Sequence, residues 1–124
     1  MLYSLDKSEI IHTIPYEKTY RIWMSRLSAR ELKAITDNLN RKIDRAGIHT
    51  SSWMPGSNWI ETVFQPIWDT ACERNQDAAA KCFGIILWEI MMKRPETWAF
   101  GRYSLKGVPI HGLTYFRVDP NASE

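Results

Sequence analysis

The sequence predicts an α+β fold, with three helices packed on a small antiparallel sheet whose best-defined part is a C-terminal β-hairpin. Three observations carry this. Leu32, Ile35, Leu39, Ile43 and Ala46 recur at helical spacing behind a capping-box sequence, SARE, at Ser28–Glu31. Residues Ala78 to about Arg94 are apolar almost all round, the pattern of a helix in the middle of a domain. Two β-rich runs then flank Lys106-Gly107, a turn pair suited to an antiparallel hairpin.

At 124 residues, of which 44% are apolar and 24% charged, the chain suits one domain, 1–124, with a core that needs no disulfide or metal. Residues 1–17 show no clean period and read as an N-terminal arm. After Pro15, the rings and β-branched side chains of TYRIWM (Thr19–Met24) suit a short edge strand. The first helix is expected over 29–46 with Gly47 as its C-cap, and with Lys33, Asp37, Arg41, Lys42 and Arg45 on a solvated face. MPGSN (Met54–Asn58) is turn chemistry; Pro66 suits the first turn of a short helix running to about Asn75, and Asp77 the cap of the next.

With Lys106-Gly107 as the hairpin turn, Glu96 falls opposite Arg117, Trp98 opposite Tyr115, Phe100 opposite Leu113, Gly101 opposite Gly112 and Arg102 opposite His111.

Composition narrows the function classes. A formal charge of +2 falls short of the basic footprint of a dedicated nucleic-acid binder, so nucleic acid is disfavoured as a partner. The longest apolar run, Cys82–Trp88, is too short to span a bilayer, and the opening residues lack the charged start and apolar stretch of a signal peptide; a cytoplasmic protein is expected. Cys72 and Cys82, with no paired framework, read as reduced thiols, and with His49 and His111 they lack zinc-site spacing. No phosphate loop, nucleophile elbow or metalloprotease helix occurs, which leans against an enzyme, and no metal or cofactor is expected. Acid–base work by Glu61, Asp69 or His111 has no motif behind it.

The unusual feature is six tryptophans. Trp53 and Trp59 bracket the turn; the sequence favours a buried Trp53 and a Trp59 that lines a cleft. The cleft residues expected are Trp59, Asn58, Ser57, Trp98, Phe100, Arg102 and Tyr115, with rings to stack on a planar group and the Arg102 fork to hold an anion. The function expected is therefore non-catalytic binding of a small planar or anionic molecule. The alternative is self-association, as a homodimer, or another protein contact through the same aromatics. TSSWMPGSNW, FGIILWEIMM and WAFGRYSLKGVPIHGLTYFR together resemble small bacterial proteins without an assigned activity, of the kind carried on mobile elements such as integron gene cassettes. That resemblance spans about residues 19–117 and implies an intracellular accessory protein, with no site residues to carry over.

Overall fold

The structure is a computed structural model that describes residues 1–56, 58–110 and 112–118. Its fold is α+β. Three helices, α1 (Glu17–Ser25), α2 (Ala29–Asp44) and α3 (Gln76–Lys93), and a π-helical turn at Ile67–Ala71 accompany a five-stranded sheet and a two-stranded ribbon. In chain order the strands are β1 (Leu2–Ser4), β2 (Glu9–Ile10), β3 (Ile48–Thr50), β4 (Trp98–Gly101), β5 (Ser104–Leu105), β6 (Val108–Pro109) and β7 (Thr114–Arg117). The sheet runs β2-β1-β4-β7-β3; β1 is parallel to β4 and the other pairings are antiparallel.

The first residues are not an arm. β1 lies inside the sheet, with Leu2 fully buried and paired to Trp98, because a three-residue strand is enough to complete one edge of β4 yet too short to show a period. TYRIWM is likewise helix, not strand. Tyr20, Trp23, Met24 and Leu27 sit at helical spacing, Tyr20 is buried and the other three pack against the core, so burial of one helical face overrides β-propensity. Tyr20 donates to Glu89 at 3.2 Å across the α1–α3 contact, and Arg21 donates to the same carboxylate at 3.0 Å.

α2 starts on the expected capping box: Glu31 N–H donates to Ser28 Oγ and Ser28 N–H to Glu31 Oε1. It ends at Asp44, before Gly47, which does not take a left-handed conformation. Lys42 is not on a solvated face. It donates to the Met54 carbonyl at 2.7 Å and lies 5.0 Å from the Phe64 ring centre, tying the 51–64 segment to α2. The short helix after Pro66 is a single π-helical turn, and α3 is capped by Asn75, whose Oδ1 accepts from Ala78 N–H at 3.0 Å, rather than by Asp77. As its apolar girth predicts, α3 is central: eight of its residues are buried, and it touches α1, α2, the π-helical turn and β1.

The hairpin holds two registers. At the tip, Leu105 pairs with Val108 and Ser104 with Pro109, as expected for a Lys106-Gly107 turn, and both turn residues have positive φ. At the base every pairing is displaced by two residues: Trp98 faces Arg117, Phe100 faces Tyr115 and Gly101 faces Thr114. The register changes between Ile110 and Thr114. Gly112 there has φ +81°, and a Cβ on it would stand 2.3 Å from Ser51 Oγ, which accepts from Leu113 N–H. An even slip leaves each side chain on its expected face, so Trp98 and Tyr115 are both buried. The expected Glu96–Arg117 pair is replaced: Glu96 is held by Arg94, which also binds Asn40 (2.7 Å) and Asp44, and it accepts from the Trp98 indole N–H at 3.3 Å.

Candidate functional site

The residues from 54 to 80 build a hollow of about 380 Å³ between the turn after β3 and the N-terminal half of α3, lined by Gly56, Asn58, Trp59, Ile60, Trp68, Gln76, Ala79 and Ala80. Its space arises from a contrast in side-chain size. Two tryptophans form walls, while α3 contributes Gln76 and the small side chains of Ala79 and Ala80.

Each wall is fixed from behind. The Trp59 ring packs on Phe83 (centres 5.7 Å apart) and Phe64 (6.3 Å), which meet edge to face at 5.4 Å, and its indole N–H donates to the Gly56 carbonyl at 3.2 Å. Trp68 rides on the π-helical turn. The guanidinium of Arg74 lies 5.5 Å from its ring centre and is itself anchored to Asp69 at 2.7 Å. Asn58 closes a local turn, its Oδ1 accepting from Ile60 N–H at 3.0 Å, which leaves its side-chain N–H groups as donors. Gln76, the first residue of α3, supplies a second side-chain amide. Among the described residues the lining carries no charged side chain, and what it offers is ring faces and amide hydrogen-bonding groups.

The expected site residues are only partly together. Asn58 and Trp59 line the hollow; Ser57 lies outside the described residues. Trp98 and Tyr115 belong to the core, where Trp98 packs on His49 (5.8 Å) and burial pushes the Tyr115 phenol up, well above its ordinary range. Phe100 is spent on internal contacts with Trp88 (4.8 Å) and Tyr115 (6.5 Å). Arg102 is exposed on the link between β4 and β5 and lines neither this hollow nor the polar one at the C-terminal end of α2. Trp53 is 59% exposed, so the roles expected of the two rings around the Met54–Asn58 turn are corrected: it is not the buried ring. Trp68, Gln76 and the two alanines had gone unnoticed. Their sequence signal is a tryptophan ten residues before a run of three alanines at the start of the most apolar helix, a large ring ahead of a stretch of small side chains.

Elsewhere, Cys72 and Cys82 are free, buried and in mutual contact, and burial pushes both thiols up. His49 Nε2 lies 2.8 Å from the Ala46 carbonyl and 3.1 Å from that of Ile43, which commits the ring to the end of α2. Among the described residues, no three His, Cys, Asp or Glu side chains are grouped to hold a metal, and no helix is long and apolar enough to cross a membrane. No family model, no curated protein and no solved structure matches this chain.

Proposed function

We propose that the protein is a non-catalytic binding module and that the hollow between Trp59 and Trp68 takes a small, flat, largely uncharged molecule. The observation that carries this is the lining itself: two braced indoles, two alanines and two side-chain amides, around about 380 Å³ of space. Sites of that composition bind by burying a ring and orienting its polar edge. Of the aromatic wall expected from the sequence only Trp59 is kept, joined by Trp68, because Trp98, Phe100 and Tyr115 are spent on internal contacts; the expected arginine is dropped, because Arg102 lies outside the hollow. The test is tryptophan fluorescence with a panel of planar heterocycles, indole, adenine and caffeine among them, on the protein and on its Trp68→Ala variant. Saturable quenching that weakens roughly tenfold in the variant supports the reading, since stacking on one ring contributes about 1–3 kcal/mol. A panel without any saturable response removes it.

A second reading, self-association, is favoured by a different surface. Trp53, Leu105 and Val108 are 59%, 56% and 66% exposed and line one apolar recess with Pro109 and Ile110. Large exposed apolar groups gathered in one place are characteristic of protein contacts. Sedimentation equilibrium decides it: a dimer that Leu105→Lys dissociates supports this reading, and a monomer at several hundred micromolar excludes it.

A further inference from the structure

We infer that a second hollow, at the C-terminal end of α2, is an anion site that takes a phosphate group between Arg45 and Arg117. This polar recess of about 300 Å³ is lined by Ile43, Arg45, Ala46, Arg94, Trp98 and Arg117 together with the carboxylates Asp44 and Glu96.

Its three guanidiniums are not equivalent. Arg94 is consumed by the protein: its three nitrogens bind Glu96, Asn40 and Asp44, so one guanidinium engages both carboxylates of the recess, whose three arginines still outnumber them by one charge. The guanidiniums of Arg45 and Arg117 have no hydrogen bond or ion pair with any described residue. The chain topology brings them to the same recess. Arg117 N–H donates to the Gly47 carbonyl at 2.9 Å, extending the β3–β7 ladder into the turn that follows Arg45. The recess thus carries a surplus of positive charge on two side chains whose forks match oxyanions.

Structural reasons account for only part of this. A cation at residue 45 is favoured by the negative end of α2, but no helix end explains Arg117, on the last position of β7. Nor does hairpin pairing, since the two-residue slip gives Arg117 Trp98 as its neighbour and leaves Glu96 to Arg94. Behind the two exposed forks, Arg94 and the buried Trp98 indole are both already bonded to Glu96, so that wall of the recess is in place before an anion enters.

The test is an NMR titration of the whole chain with inorganic phosphate at low salt, following the Trp98 indole N–H and the Ala46 and Gly47 amides, with acetate in a parallel arm. The comparison is between Arg45→Gln/Arg117→Gln and Arg30→Gln/Arg41→Gln. All four side chains are exposed, and the two double variants lose the same charge. Saturable shifts with phosphate that weaken at least about tenfold in the first variant and persist in the second support the site. Saturation with acetate at equal strength makes it a carboxylate site instead and overturns the phosphate assignment. Linear shifts, or equal losses in both variants, reduce the effect to general screening and overturn the site itself.

Discussion

Gly112 lies against Ser51: a side chain on the glycine would overlap the serine hydroxyl, which accepts from Leu113 N–H at 3.0 Å. This contact is where the hairpin changes register, and so where β7 is aligned with both β3 and β4. Gly112→Ala is expected to destabilise the protein by about 2–4 kcal/mol, combining a positive φ with overpacking. Gly47→Ala, with nothing within 4 Å of its added Cβ and no positive φ, is expected to change stability by less than about 0.5 kcal/mol. Urea denaturation of the two variants checks the contrast.

The cap of α3 separates two neighbouring polar residues. Asn75→Ala removes the bond to Ala78 N–H and is expected to cost about 1 kcal/mol. Asp77→Ala removes only a favourable charge in the first turn, about 0.3–0.5 kcal/mol. Equal losses would contradict the assignment of the cap.

Glu96 gives the fold an acid-sensitive joint. Burial pushes its carboxyl up, but hydrogen bonds from Arg94, its own backbone and the Trp98 indole, with the charge of Arg94, outweigh that and hold it below the ordinary carboxylate range. A carboxyl lowered on folding contributes stability that is fully present above its unfolded value, near pH 4.3 to 4.5, and is lost as pH falls through the lower folded value. Glu96→Gln should therefore cost about 1–3 kcal/mol at pH 7, where the bonds of the ionised group to Arg94 are lost. The gap from wild type should shrink as pH drops below about 4. Thermal melts from pH 7 to pH 3 measure the convergence; a constant gap would show that Glu96 acts through packing alone.

The two cysteines should be silent in the native state. Both are buried with thiols pushed up, so little thiolate is exposed to a reagent at neutral pH. Ellman's reagent is expected to find well under one thiol per chain in buffer and two in guanidinium.

What was legible in the sequence were features set by local chemistry. The Ser28–Glu31 box, the girdle of apolar residues on α3 and the Lys106-Gly107 turn are each encoded within a few neighbouring residues, and each is present. What was not legible depends on distant partners. β1 is a strand because Trp98 and Ala99 lie beside it, and Thr19–Met24 is helical because α3 covers Tyr20. The hairpin base slips where Ser51, 61 residues away, receives Gly112. The site suffered similarly. Trp59 and Asn58 were recognisable from the turn, but their companions come from the π-helical turn and α3 rather than from the hairpin, whose Trp98, Phe100 and Tyr115 are spent on internal contacts.

The most direct test of the central claim fills the space between the tryptophans. Ala80 is exposed on α3 and lines the hollow, so Ala80→Phe occupies it without disturbing the core. Calorimetric titration with whichever heterocycle binds most tightly should show one site per chain in the wild type and none in Ala80→Phe, with melting temperatures within a few degrees. Undiminished binding in the filled variant would place the ligand elsewhere and contradict the account.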